Sequence, residues 1–261
     1  MKKDILYFIA QTKYNIKNAH ALRSSFWVGV WSMVLNNFSF FIMWMLFMKA
    51  TGPINGWSAM DVFGMLGVAM TCFGFAHGFF YGIIDLPQFV MRGTFDSVLL
   101  APVNSFLKLS GSSFSVTAYG DLLLGGVVCI IYGIYSHFDF YAWVLFIITL
   151  ILGCVLFVAI RLLCALIVFF MHDGEVVVMQ VFEIFLRPGL YPGSIFPDKL
   201  KIFCMTVIPT LITSAVPIDT AKFNSIKFML VSLSVTIVWV LITAAVFRIS
   251  VRRYESGNFL R

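Results

Sequence analysis

Apolar residues in this chain gather into long runs, and most charges fall between the runs or near the two ends. Phe26 to Met48 and Val62 to Ile84 each pass without an Asp, Glu, Lys or Arg. At about 1.5 Å per residue, each reaches roughly 35 Å as a helix, enough for a hydrocarbon core of about 30 Å. A third run, Ser112 to Tyr135, contains Asp121, and a fourth, Tyr141 to Met171, is interrupted by Arg161. The last run is Phe228 to Phe247. This pattern predicts membrane-crossing helices, with Ser136 to Phe140 as a tight turn and Asp85 to Ser110 as the longest polar connection.

Two segments depart from the pattern. Val176 to Phe196 holds Glu183, Arg187, Pro188, Gly189, Pro192 and Gly193, so no straight helix runs through it. Ile202 to Val216 is apolar but only about 22 Å long as a helix, and it carries Pro209. Its length favours a re-entrant excursion, in which protein or water satisfies the irregular backbone. At the N-terminus, Ile5, Ile9, Ile16 and Ala19 recur at near-helical spacing, with Lys13 and Lys17 on another face. That predicts an amphipathic helix lying in the membrane surface, the alternative being a frayed polar tail.

Composition agrees: 61% of residues are apolar and 11% charged, far from a soluble domain. The first run is too long, and starts too late, to read as a signal peptide. The net charge of +6 matters less than where it lies. Lys2, Lys3, Lys13, Lys17 and Arg23 precede the first run, and Arg248, Arg252, Arg253 and Arg261 follow the last. Short basic flanks favour the cytoplasm, so both termini are expected inside, with an even number of crossings. The expected fold is an all-α integral membrane protein. It has six transmembrane helices, an N-terminal amphipathic interfacial helix and a re-entrant extracytoplasmic element before the last helix. Arg187, Lys199, Lys201, Lys222 and Lys227 oppose that orientation; a full crossing by Ile202 to Val216 would give seven spans and an outer tail. The basic balance does not imply a nucleic-acid partner, because no soluble domain presents it.

Candidate chemistry is sparse. Cys72, Cys129, Cys154, Cys164 and Cys204 lie inside apolar runs without metal-like spacing, which predicts packing. No phosphate-binding G-x-x-x-x-G-K-[ST], H-E-x-x-H or G-x-S-x-G motif occurs, so neither catalytic nor metal-ligating residues are assigned. Asp121, Arg161, Glu183 and Arg187 are the ionisable residues expected at membrane depth, where such groups face protein or water. They could line a pathway; Glu183 and Arg187, at i and i+4, could equally neutralise each other. Gly74, Gly78 and Gly82 form a small-residue stripe that suits close helix packing more than a substrate groove. His77 beside it reads as a hydrogen-bonded structural histidine.

Four segments carry a resemblance. Arg92-Gly93-Thr94-Phe95-Asp96-Ser97-Val98-Leu99-Leu100-Ala101-Pro102-Val103 resembles the R-G-T-hydrophobic-D-x-x-L-L-x-P-hydrophobic segment of ABC-2-type transporter permeases. Gly120-Asp121-Leu122-Leu123-Leu124-Gly125 is similar to a G-D-L-L-L-G stretch of one branch. Tyr191-Pro192-Gly193-Ser194-Ile195-Phe196-Pro197-Asp198-Lys199-Leu200, followed by Ile208-Pro209, resembles that branch's Y-P-x-x-I-[FY]-P-x-x-[LI] element and I-P pair. Arg252-Arg253-Tyr254-Glu255-Ser256-Gly257 is similar to the family ending. Gly193 departs from the pattern, standing where a bulkier residue is expected.

The resemblance implies a half-transporter of the bacterial cytoplasmic (inner) membrane, in a branch associated with export of antibiotics, toxins and viologens. Residues 1–25 would be the cytoplasmic amphipathic helix, 26–247 the ABC-2-type transmembrane domain and 248–261 a basic cytoplasmic tail. A second permease chain, identical or homologous, would complete the pathway within membrane lipid. Separate soluble ABC ATPase subunits would bind ATP and Mg, leaving no cofactor in this chain. Arg92, Gly93, Thr94, Phe95, Asp96, Leu99, Leu100 and Pro102 would form the ATPase-coupling loop. Tyr191, Pro192, Phe196, Pro197 and Pro209 would belong to the re-entrant gate. The competing functions are an ion-coupled secondary transporter and a non-transporting membrane scaffold or immunity protein.

Overall fold

The computed structural model describes residues 2–21, 23–171 and 174–254. Those residues form helices and turns without a β-strand. In chain order the α-helices are α1 (Lys2–Ala21), α2 (Arg23–Thr51), α3 (Ala59–Phe79), α4 (Leu86–Met91), α5 (Asp96–Leu99) and α6 (Ser105–Ser110). Then come α7 (Thr117–Tyr135), α8 (Phe140–Ala165), α9 (Gly174–Leu186), α10 (Asp198–Thr206), α11 (Ala215–Lys222) and α12 (Ile226–Arg253). Five are long and apolar enough to cross a membrane: α2, α3, α7, α12, and α8 with its 3-10 continuation to Phe170.

α3 lies at the centre of the bundle, with Val62, Met65, Leu66, Val68 and Cys72 buried. It begins three residues before the apolar run because Ser58 and Asp61 build a capping box. The Ser58 amide donates to Asp61 Oδ2 at 2.7 Å and the Asp61 amide donates to Ser58 Oγ at 3.3 Å. α7 packs along α3 so closely that a Cβ on Gly74 would lie 2.5 Å from the Leu122 nitrogen and 2.9 Å from the Ala118 oxygen. From the other side, Gly125 sits against Thr71 and the Gly67 carbonyl. Small residues here let two backbones approach, as close helix packing in a bilayer requires.

The expected stripe Gly74, Gly78, Gly82 is only partly correct. α3 stops at Phe79, where Phe80 leaves helical geometry (φ −127°, ψ 27°). Gly82 therefore lies on a separate 3-10 turn, Tyr81–Ile83, pressed against Leu109 and Ser112 rather than on the helix face. The basic residues expected in a tail from 248 also begin inside a helix, since α12 continues to Arg253. All five cysteines are buried and free.

The bundle has two ends. At one, α1 lies on α6 and its flanks: the Asn104 amide donates to Asp4 Oδ1 at 3.2 Å, Lys108 Nζ to the Tyr7 hydroxyl at 2.6 Å, and Asn15 Nδ2 to the Gly111 carbonyl at 2.9 Å. Ile5, Leu6 and Ile9 of α1 stay exposed as an apolar stripe. The other end gathers the α2–α3 connection, the α7–α8 turn and the start of α12. Between α9 and α12 the chain is broken into short helices and 3-10 turns, as the prolines and glycines there require.

Candidate functional site

The α3–α7 connection is built from the residues of the R-G-T segment. α4 closes at Arg92, and Gly93 takes a left-handed backbone (φ 66°) with open space around it, a conformation glycine adopts without strain. The turn is tied by the amides of Thr94 and Phe95, which both donate to the Phe89 carbonyl at 2.9 and 3.1 Å. This drives Phe95 inward, where its ring meets Phe169 at 5.5 Å and Tyr254 at 5.2 Å, edge to face. Leu86, Val90 and Val98 are buried with it, and Leu99 packs against the same core. Asp96 lies beside the Tyr254 hydroxyl; burial first, and then that carboxylate, raises the Tyr254 phenol above the ordinary tyrosine range. Arg92, Gly93, Thr94 and Pro102 face outward. Leu100 is 84% exposed, although it is fully apolar. The motif thus divides into an anchored inner half and a presented outer half.

The ionisable residues expected at membrane depth are not brought together. Asp121 is buried between α7 and α2, where Asn37 Nδ2 donates to its Oδ1 at 2.6 Å while its Oδ2 has no hydrogen-bond partner. Arg161 is buried between α8 and α9, its guanidinium 4.1 Å from the centre of the Phe182 ring, a cation–π contact. Among the described residues no carboxylate lies within ion-pair distance of it. Glu183 on α9 and Arg187 on the 3-10 turn that follows it pair at 3.4 Å, both exposed. His77 is structural: its Nδ1 lies 3.0 Å from the Phe73 carbonyl, and its ring stacks on Phe73.

The opposite end holds the proline-rich segment. Tyr191 packs edge to face on Trp44 at 6.0 Å, Pro192 is buried, Phe196 is half-buried and Pro197 is exposed. Ser194 is bound to the α2–α3 connection twice: Asn55 Nδ2 donates to its carbonyl at 2.9 Å, and its Oγ donates to the Ile54 carbonyl at 2.9 Å. α10 then leads to Pro209, which opens a buried 3-10 turn, Pro209–Thr213. That turn presses on the middle of α8, where a Cβ on Gly153 would lie 2.9 Å from the Ile212 carbonyl. α11 returns, and Lys222 Nζ donates to the Gly56 carbonyl at 2.8 Å and to Asp61 Oδ2 at 2.6 Å. Lys201 pairs with Asp219 at 2.8 Å, tying α10 to α11.

Sequence reasoning missed this cluster. Lys201 and Lys222 were visible only as charges against the expected orientation, and no sequence motif singles out Asp61. Its carboxylate also accepts from the Tyr132 hydroxyl at 2.8 Å, and with Lys222 and Asp139 it lines a polar cavity of about 520 Å³. Among the described residues no three His, Cys, Asp or Glu side chains gather into a metal-binding group.

A family model described as ABC-2 family transporter protein matches residues 34–257. The chain belongs to the ABC-2 transporter family. No match is found among curated proteins. The matched span covers every described helix from within α2 onward and leaves α1 outside. In this ABC-2 permease the G-D-L-L-L-G stretch is a packing element: Gly120 sits against the Val30 carbonyl, Asp121 against Asn37, and Gly125 against Thr71. Gly193, the departure in the Y-P element, has a physical reason, since a Cβ there would meet the Ala215 methyl at 3.2 Å. Tyr254 of the family ending packs on Phe95, so the last motif braces the first. Glu255, Ser256 and Gly257 lie outside the described residues.

Proposed function

We propose that this ABC-2 permease is the membrane subunit of an ATP-driven exporter of amphipathic compounds, such as a drug, antibiotic or toxin. Two permease chains form the pathway, and soluble ATPase subunits dock on the α4–α6 connection and hold the ATP and Mg. The observation that carries this reading is Leu100: a large apolar side chain, 84% exposed, on a loop whose neighbours are locked into the core. A rigidly presented apolar side chain with charged and polar neighbours suits the centre of a protein interface. Arg92 and Thr94 supply its polar rim.

The same reading takes the chain across the inner membrane of a bacterium six times, with both termini and α4–α6 on the ATPase side. The sixth crossing is α9 with the turns that follow it. Its support is that Gln88 Nε2 donates to Glu175 Oε1 at 3.4 Å beside α4, while Ser194 bonds the α2–α3 connection at the other end. The segment from Tyr191 to Lys222 is re-entrant, supported by Ser194 and Lys222 both meeting the α2–α3 connection while Ile212 reaches mid-α8. Glu183 and Arg187, exposed at the end of α9 and the turn after it, face the second permease chain or the pathway, because acyl chains would leave them unsolvated.

The test is co-purification. The chain is expressed with a candidate soluble ABC ATPase from the same genome, and Leu100→Asp is compared with the unaltered protein. Loss of the ATPase and of export, with expression and membrane insertion unchanged, is the expected result. A variant that still retains the ATPase removes the docking assignment. Export that persists without any ATPase favours an ion-coupled carrier.

A further inference from the structure

A cavity of about 530 Å³ opens between α3, α8 and α12 near the α6 end, within the size range of ligand pockets, about 300–1,000 Å³. Its walls are apolar, with Phe75, Phe80, Val158, Leu162 and Phe247 among them. The flanking side chains of α8 and α12, including Ile151, Val155, Val240 and Leu241, are exposed on spans long enough to cross a bilayer, so the opening faces acyl chains. One end of the cavity is polar, with Asn104 and Ser105 on one side and Arg248 on the other; Thr243 on the α12 wall spends its hydroxyl on the Ala159 carbonyl at 3.2 Å. Arg248 is exposed, and among the described residues no carboxylate lies within ion-pair distance of it.

The arrangement is an apolar slot, open to lipid, with Arg248 at its headgroup end; Asp4 accepts from the amide of the lining residue Asn104, and among the described residues no carboxylate pairs with Arg248. We infer that it is a binding site for an anionic phospholipid, one acyl chain lying in the groove walled by α3, α8 and α12 and the phosphate resting on Arg248. Charge decides the class. An organic cation would meet Arg248 with like charge, whereas an acidic headgroup supplies the missing counter-charge. Basic pockets between membrane helices at headgroup depth select acidic lipids for the same reason. The bound lipid fills this groove and completes the wall of the bundle. This inference rests on the chain being a helical bundle in a bilayer, and not on its coupling to an ATPase.

The experiment uses the full permease chain, without a partner, reconstituted in bilayers of equal phosphatidylglycerol and phosphatidylethanolamine. After mild detergent extraction, native mass spectrometry counts the lipid that stays bound. The unaltered chain is expected to retain phosphatidylglycerol with a preference of about fivefold, the scale of one arginine near an acidic headgroup. Arg248→Gln keeps a bound lipid and loses the preference. Ala244→Phe, at an exposed position on the α12 wall, fills the slot and loses the lipid; Val155→Trp, from the α8 wall, does the same and serves if the first variant is poorly expressed. Equal retention of the two lipids by the unaltered chain overturns the inference. So does a preference that survives Arg248→Gln, or a filled variant that holds as much lipid as the unaltered chain. None of these readouts requires transport or ATP, so a failed ATPase assignment leaves them intact.

Discussion

Lys222 Nζ stands 2.6 Å from Asp61 Oδ2, joining the last turn of α11 to the first turn of α3. The same carboxylate caps α3 through Ser58 and accepts from the Tyr132 hydroxyl, so one side chain holds α3, α7 and α11 at one end of the bundle. In Asp61→Asn an NH2 group replaces Oδ2, so the Ser58 amide and Lys222 Nζ face a donor, while the remaining oxygen keeps the Tyr132 hydroxyl. Asp61→Asn is therefore expected to cost about 1–3 kcal/mol, the scale of a buried polar group left unpaired. Lys222→Met alone is expected to cost less, because Lys222 is partly exposed and Asp61 keeps three other donors. Thermal unfolding in detergent for the two single variants and the double variant reads the coupling. Strict additivity would show that the pair contributes nothing.

The α3–α7 seam separates two glycines of one stripe. A methyl at Gly74 would lie 2.5 Å from the Leu122 nitrogen, on backbone that cannot yield without parting the helices, whereas a methyl at Gly78 would meet only the Ala118 Cβ at 3.8 Å. Gly74→Ala is expected to destabilise by about 1–3 kcal/mol through overpacking. Gly78→Ala is expected to be neutral or to stabilise by up to about 1 kcal/mol through helix propensity. Melting curves of the two variants side by side check this; a Gly74→Ala melt as high as that of the unaltered protein would mean that α3 and α7 do not touch at Gly74.

The five long helices were legible because an apolar run of bilayer length with at most one charge has few other stable outcomes, and their ends fall within about six residues of the runs. Gly82 was misread because counting in fours assumes that the helix continues, while Phe80 leaves it. Asp61 and Lys222 carry no local signal for each other: they come from distant parts of the chain, and only the return of α11 to the α2–α3 connection joins them. The inner half of the R-G-T segment was hidden for a related reason. Phe95 stands in the expected coupling loop with no local sign of burial; Phe169 and Tyr254, from two other elements, close over it.

That division within the loop gives a contrast in stability. Phe95 is buried under two aromatic rings, so Phe95→Ala is expected to cost about 3–5 kcal/mol in lost transfer energy and cavity. Leu100→Ala removes a side chain that touches little in the isolated chain, and its stability is expected to stay within about 0.5 kcal/mol of the unaltered protein. Thermal unfolding of the permease without a partner reads both. A large loss at Leu100 would place it in the fold and withdraw it from the proposed interface.

The path from Tyr191 to Lys222 sets the sidedness of α12. Ser194 and Lys222 both bond the α2–α3 connection, while the 3-10 turn between them sits against Gly153, halfway along α8. A segment that enters and leaves at one face must expose Lys199 and Lys227 on the same side. Both residues are exposed, and neither is needed for the Lys222 pair, so each tolerates replacement. Single cysteines at 199 and 227, on a background with the native five cysteines replaced, are expected to react with a membrane-impermeant maleimide added outside intact cells. A third cysteine at Arg92 is expected to react only after permeabilisation. If 199 labels from outside and 227 only after permeabilisation, the segment crosses the bilayer, α12 runs the other way, and α4–α6 and the C-terminal end of α12 no longer share a side. Phe95 could not then meet Tyr254, so that outcome would contradict the bundle as well as the orientation.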